Sequence, residues 1–222
     1  MTVHDISRDM ELKDQAGWNQ TRADWRRFLD LEPDGCFVAE LDGQVVGTAV
    51  ATMLGSVGWI AMILVDRAMR GRGIGLRLVG HALSYLDQRR VPTVRLDATP
   101  LGRPIYQRLG FQAQYALTRW EGLARPGAMP GCVAALTADH LPMAAELDRR
   151  VTGTDRERLL RLLNGQEPGR FWGILSDSKL LGYVAAREGS RAVQIGPAAA
   201  AEEQAGLALS DAALSQLAGR LV

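Results

Sequence analysis

An apolar run, WIAMILVD from Trp59 to Asp66, leads through the six residues RGRGIG, Arg70 to Gly75, into GIGLRLVGHALSYLDQRR, where apolar residues recur at helical spacing. The pattern predicts a strand that enters a helix through a glycine-rich turn. Glycines at 71, 73 and 75 let the main chain approach a ligand closely, and the first free N–H groups of a helix carry a partial positive charge. Such a turn suits a phosphate or diphosphate, and Arg70, Arg72 and Arg77 add local positive charge. The junction therefore predicts an anion site.

What the turn lacks narrows the anion. A phosphate loop of the nucleotide hydrolase kind needs Lys and then Ser or Thr after its last glycine, whereas Gly75 is followed by Leu76 and Arg77. A dinucleotide fingerprint needs glycine at 71, 73 and 76, and position 76 is Leu. The net charge of +1 gives no reason to expect nucleic acid or an anionic membrane as a partner, so the anion is a local ligand of the Arg cluster. Cys36 and Cys132 lie far apart without metal-ligand spacing, which predicts neither a disulfide framework nor a metal site and fits a reduced cytoplasm.

With 222 residues, 47% hydrophobic and 23% charged, the chain has the composition of one large globular domain or two modest ones. The N-terminal MTVHDISRDMELKD alternates charges and has no apolar core of the kind a signal peptide needs. Gly43 to Val65 carries no charge, but glycines at 47, 55 and 58, a Gly55-Ser56 turn and flanking β-branched residues favour two buried strands over a membrane span. Trp18, Trp25, Phe28 and Leu29 fall on one face of a helix within WNQTRADWRRFLDL, ended by Pro33, Asp34 and Gly35. CFVAEL, QVVGTAVATML and WIAMILVD then read as an antiparallel meander with turns at Asp42-Gly43 and Gly55-Ser56. After the glycine turn, Leu76, Val79, Leu83 and Leu86 form the predicted buried stripe of a helix that Pro92 ends. TVRLDAT follows as a strand, RPIYQRL as a short helix stopped at Gly110, and FQAQYALTRW as a last strand or strand pair.

The spacing Arg, two residues, Gly, one residue, Gly after an apolar strand, followed at a distance by IYQRLGF (Ile105 to Phe111), resembles the GNAT superfamily of N-acetyltransferases. The resemblance covers about residues 15 to 121 and rests on two motifs in the right order. It implies an α/β fold of the α+β type, with a mixed, mostly antiparallel sheet flanked by helices. It also implies an acyltransferase that binds acetyl-CoA. GWNQ (Gly17 to Gln20) and LDATPLGRPIY (Leu96 to Tyr106) are further similar to a bacterial subset with a second, degenerate acetyltransferase-like domain.

Internal repetition supports that subset. RFWGIL, SDSKLLGYVAAREGSRAVQIGP and AEEQAGLALSDAALSQLAGRL echo CFVAEL, the uncharged strand pair and the glycine helix, down to a second Gly-Ser turn at Gly189-Ser190. The expected division is an acetyltransferase domain at 1–125 and a degenerate domain at 131–222. In the second, AAAAEEQAGLAL replaces the anion turn, and Glu202 and Glu203 at the helix start would repel a diphosphate. The sequence reaches Val222 without a counterpart of VRLDAT or IYQRLGF, so this half is expected to be shortened, or one piece of a longer domain.

Acetyl transfer from a thioester to an amine requires charge stabilisation on the carbonyl oxygen, and main-chain N–H groups of a splayed strand supply it in this family. The resemblance places that task on Ile63, Leu64 and Val65, and cofactor binding on Arg70, Gly71, Arg72, Gly73, Ile74 and Gly75. It assigns Tyr106 as the acid that protonates the departing thiolate; otherwise Tyr106 is an amphipathic core residue. Asp97, Thr99 and Arg103 fall where the family often contacts the cofactor with an Asn, which none of them is; an exposed strand end and helix cap is the alternative. Trp18, Asn19 and Gln20 fall where the family's first helices wall the acceptor pocket, although aromatics at helical spacing are more often core.

An amine with pKa near ~10.4 must lose a proton, at about 4.6 kcal/mol at pH 7. Glu40 and Asp24 read as solvated surface charges before they read as bases, and His4, His81 and His140 have no partners that suggest catalysis. The reading is an N-acetyltransferase that moves acetyl from acetyl-CoA to a primary amine of a small molecule or peptide by direct attack, without metal, nucleic acid or membrane, with a homodimer left open. The rival is a non-catalytic coenzyme A or acyl-CoA binding module with a protein-interaction C-terminal half.

Overall fold

The charge alternation at the N-terminus hides a helix that sequence patterning does not announce. α1 (Ile6–Ala16) buries Ile6, Asp9, Leu12 and Lys13, and Gly17 ends it in the left-handed conformation at φ 70°. α2 (Arg22–Leu31) starts at a capping box in which Thr21 and Asp24 satisfy each other's main-chain N–H groups. Trp18 thus lies before α2 instead of within it. Asp24 is also not a solvated charge: it is buried and paired with Arg27 at 2.6 Å.

The computed structural model describes residues 1–177 and 179–222, which form two units, Met1–Arg119 and Trp120–Val222. In the first, β1 (Cys36–Leu41), β2 (Gln44–Leu54) and β3 (Val57–Val65) form the expected antiparallel meander. Asp42 and Gly43 supply the left-handed residues of the first hairpin turn (φ 50° and 75°). α3 (Ile74–Gln88) packs on one face of this sheet through Val79, Ala82, Tyr85 and Leu86, against Ala51 and Ile60. α1 and α2 cover the other face, where Ile6, Leu12 and Trp25 meet Cys36, Val50, Met62 and Leu64. Leu76 is 41% exposed, so the buried stripe of α3 runs through Leu78 and Val79 and not through Leu76.

Two further expectations are corrected in this unit. The strand in TVRLDAT shrinks to β4 (Thr93–Arg95), parallel to Val57–Trp59, so Asp97 and Thr99 lie beyond it; α4 (Arg103–Arg108) follows. FQAQYALTRW makes no ladder among the described residues, and Tyr115, Leu117 and Trp120 are exposed. Alternation prepares a strand, but only a bonded neighbour makes one, and β4 is three residues long.

In the second unit β5 (Val133–Ala135), α5 (Leu141–Thr152) and α6 (Glu157–Gln166) precede β6 (Phe171–Ser176), β7 (Lys179–Arg187) and β8 (Gln194–Ala200), and α7 (Glu203–Gln216) follows. The sheet runs β5-β6-β7-β8, antiparallel throughout. Ser178 in the β6–β7 turn lies outside the described residues. Asp148, fully buried on α5, accepts from Arg156 Nε at 2.7 Å and from the Tyr183 hydroxyl at 2.6 Å, and burial foremost pushes the Tyr183 phenol up.

The repeat read in the sequence extends to individual bonds. Glu32 accepts the N–H of Met53 at 3.3 Å, and Glu167 that of Glu188 at 3.1 Å, at the same displacement that relates Cys36 to Phe171. Asp42 and Asp177 both take the left-handed turn conformation. Gly47 and Gly182 occupy equivalent positions under a helix: a Cβ would stand 3.0 Å from Leu78 Cδ1 in one and 2.6 Å from Leu209 Cδ1 in the other. The copies part at the strand-to-helix junction, where Asp66 to Gly73 of the first are matched by Ala201 and Glu202 alone.

Candidate functional site

β3 and β4 pair only from Val57 to Trp59, and beyond that point the two strands part, which leaves the remainder of β3 with an open edge. The Asp66 N–H bonds Val46 of β2 at 2.9 Å. Alternation then turns the main chain of Val65 and Ile63 toward the gap, and the Val65 carbonyl does accept from Arg70 Nε there, at 3.1 Å. Leu64 differs from its neighbours, because its carbonyl lies against Gly47 of β2 and its main chain belongs to the ladder. Met62 carries strain next to this edge, with φ 55° and its carbonyl held by the buried Thr48 hydroxyl at 2.7 Å.

The glycine turn sits at the end of that edge. Arg67–Met69 make one 3-10 turn, Gly71 and Gly73 take φ 79° and 76°, and α3 starts at Ile74 without a side-chain cap. Its first helical bond runs from the Arg77 N–H to the Gly73 carbonyl at 3.1 Å, and the N–H groups from Gly71 to Leu76 have no partner among the described residues. Apart from its immediate chain neighbours, no described residue comes within 4 Å of where a Cβ on Gly71 or Gly73 would be, and Arg70, Arg72 and Arg77 are exposed. A Cβ on Gly75 would stand 3.6 Å from Val65 and 4.0 Å from Ile105, so turn, strand end and α4 meet here.

A clamp that sequence reasoning did not find holds the turn. The Asp66 carboxylate accepts from Arg8 at 2.6 Å, Gln15 at 3.0 Å and the Ala68 N–H at 2.9 Å, and Gln15 in turn accepts the Arg67 N–H at 2.9 Å. These bonds, that of Gln15 first, hold Asp66 below the usual carboxylate range. Asp66 ends the apolar run visibly, but nothing in the sequence links it to Arg8 or Gln15.

Tyr106 lies on the α3 side of the sheet, its ring edge-on to Phe111 at 6.1 Å. Its hydroxyl has no partner among the described residues, and burial pushes it above the usual tyrosine value, so it is protonated at neutral pH. Thr99 caps α4: its hydroxyl and carbonyl take the Gly102 N–H at 3.2 and 3.0 Å, and its carbonyl also takes that of Arg103. Asp97 is raised by desolvation, with Arg119 acting against it, and Arg103 is exposed. Trp18, Asn19 and Gln20 are half-buried, Trp18 against the cluster on the opposite, α1/α2 side, and the Gln20 Oε1 is buried without a partner among the described residues. The structure thus brings Ile63, Val65, the turn and α4 together, and places Trp18 across the sheet from Tyr106.

Residues 3–111 match the acetyltransferase (GNAT) family, and residues 144–222 match an acetyltransferase (GNAT) domain. The chain belongs to the GNAT superfamily and carries a second GNAT-like domain in its C-terminal part. It is 27% identical over 182 residues to holothin acyltransferase of Pseudoalteromonas sp. strain SANK 73390, which covers 81% of this chain but only 61% of that protein. It is 23% identical over 196 residues to the uncharacterized N-acetyltransferase YitH of Bacillus subtilis, covering 86% of this chain and 68% of YitH. A solved chain from Pyrococcus horikoshii described as an acetyltransferase superposes over 100% of this chain and 77% of its own length, with a TM-score of 0.83 at 23% identity, and so shares the fold.

Proposed function

We propose that the chain is an N-acetyltransferase that moves an acetyl group from acetyl-CoA to a primary amine by direct attack. The observation that carries this reading is the row of N–H groups from Gly71 to Leu76 without partners among the described residues, beside an open strand edge. These groups, with Arg70, Arg72 and Arg77, fit a diphosphate, and positive φ at Gly71 and Gly73 keeps side chains out of the turn. Acetyl-CoA, when bound, supplies an activated thioester. The N–H groups of Ile63 and Val65, on the gap side, would hold the pantetheine arm and stabilise the carbonyl oxygen as it gains charge. The Tyr106 hydroxyl, kept neutral by burial, gives its proton to the departing sulfur. Asp24 is not assigned as the base that takes the amine's proton, because it is engaged with Arg27 and Thr21.

Trp18, Asn19 and Gln20 are assigned to the acceptor pocket, with the buried Gln20 carbonyl oxygen open to a donor. Asp97 and Arg103 are assigned to the cofactor's periphery, and Thr99 acts through the α4 cap. We infer the same division of labour as in the sequence, with cofactor binding confined to 1–125. In 131–222 the two-residue connection and Glu202 as N-cap replace the anion turn. The test is free-thiol release from acetyl-CoA across amines, aminoglycosides, polyamines and peptides. Saturable acetyl-CoA binding without transfer to any of them would favour the non-catalytic binding module.

A further inference from the structure

Arg95 is the last residue of β4, paired in the parallel ladder with Trp59, and the gap between β3 and β4 opens just beyond it. Val94 and Leu96 on either side pack in the α3 cluster, so alternation turns the Arg95 side chain to the opposite face of the sheet, the one that α1 and α2 cover. Trp59 shares that face, because Ile60 next to it packs with α3, and so does the buried Thr52, which pairs with Trp59 from β2. Thr52, Trp59 and Arg95 therefore form one row across the sheet, with Arg95 at its outer end beside the gap. The Arg95 Nε is buried without a partner, and the guanidinium pairs with no carboxylate among the described residues. Asp97, the nearest acid along the chain, is instead countered by Arg119. A buried cationic donor without an acceptor is costly to a fold, and a ligand that brings an anion to it offsets that cost.

We propose that Arg95 binds a carboxylate carried by the acceptor, so that the molecule acetylated bears a primary amine and an acid together. The assignment rests on the N-acetyltransferase reading and names the acceptor's class. Nε and a terminal nitrogen of the guanidinium form a planar fork that matches the two oxygens of a carboxylate, and a lone guanidinium balances one negative charge, which suits a carboxylate better than a dianionic phosphate. Arg95 lies on the face where Trp18 is assigned to the acceptor pocket, while Tyr106 stands on the other, so the acid is held apart from the group that protonates the sulfur. Ile63 and Val65 follow Trp59 along the same strand, which lets a molecule gripped at Arg95 extend along the gap with its amine toward those N–H groups. The half-buried Trp59 ring walls the methylenes between, and the buried Gln20 Oε1 offers the acceptor oxygen that an ammonium needs. Polyamines and aminoglycosides would bring positive charge to the guanidinium and are poor acceptors on this account.

Thiol release from acetyl-CoA on the full chain, with glycine, β-alanine and γ-aminobutyrate set against the carboxamide and the phosphonate analogue of each, tests this. The best acid should exceed its carboxamide in kcat/KM by at least about 10-fold, the effect of one charge-assisted hydrogen bond, and should exceed its phosphonate as well. Arg95→Gln should bring the ratio of acid to carboxamide to within about twofold of one by raising KM for the acid, and Arg95→Lys should keep part of the preference. Both comparisons are made within one protein, so a variant that folds less completely loses both rates and keeps its ratio. Calorimetric titration of the acids onto the coenzyme A complex reads the same contact without turnover, saturable in the wild type and at least about 10-fold weaker in Arg95→Gln. Equal rates for acid and carboxamide in the wild type, a phosphonate preferred to the acid, or a preference that survives Arg95→Gln overturns the proposal and leaves the acetyltransferase reading standing. If no amine releases thiol, that reading falls and the titration decides: binding of an acid that depends on Arg95 supports the carboxylate site, and its absence overturns it.

Discussion

Tyr106→Phe separates catalysis from every structural contribution of that side chain. The hydroxyl bonds nothing among the described residues, while the ring keeps its contact with Phe111 at 6.1 Å. Removing the oxygen should therefore change stability by less than about 0.5 kcal/mol, within the range of neutral surface substitutions. A positioned general acid contributes about 10²- to 10⁴-fold in rate, equivalent to about 2.7 to 5.4 kcal/mol at the transition state. The expected result is a thiol-release rate down by at least about 100-fold with the best amine of the panel, and a coenzyme A dissociation constant within about twofold of wild type. Because burial raises the Tyr106 pKa, the wild-type contribution should persist through neutral pH and fade only as the phenol ionises above its usual value. A rate within threefold of wild type, or a loss accounted for by weaker cofactor binding, refutes the acid role.

Asp9 is buried with neither oxygen partnered among the described residues, and desolvation raises it to about 7, so the folded protein binds a proton that the unfolded chain releases near 3.8. Stability should fall as pH rises from about 4 to about 7, by up to about 4 kcal/mol. Asp9→Asn should flatten that slope in thermal unfolding; an unchanged slope would contradict it. Asp66→Ala should weaken coenzyme A binding and lower the melting temperature. The stability gap to wild type should close as pH falls below the carboxylate range, because a depressed acid contributes only while ionised. Gly47→Ala drives a Cβ to 2.9 Å from the Leu64 carbonyl oxygen and 3.0 Å from Leu78, and denaturant unfolding should show a loss of about 1–3 kcal/mol. A neutral result would mean that α3 can move off β2.

The parts of this fold that were legible in the sequence are those with a local cause. The meander follows from β-branched alternation between two turns with left-handed residues, and the strand-to-helix turn from glycines that reach φ 79° and 76° before a helix. α1 escaped because its buried face includes Asp9 and Lys13, charges that spoil apolar periodicity. Leu76 misled because a helix chooses its buried face by what the sheet offers, and Gly47 receives Leu78 instead, while Leu86 packs over Gly58 as expected. The tail from Phe111 to Trp120 alternates as a strand should but pairs with no strand among the described residues, which is a property of the sheet and not of the segment. The Arg8–Asp66–Gln15 clamp joins residues more than 50 positions apart, and no local pattern encodes such contacts.

The grip on a diphosphate by the main chain of the turn is best tested by following backbone amide resonances while coenzyme A is added. The account predicts saturable binding with the largest shifts at the N–H groups of Gly71 to Leu76, and quiet amides at Glu203 to Gly206 of α7. Saturation with its largest shifts elsewhere, or no saturation at all, would contradict it.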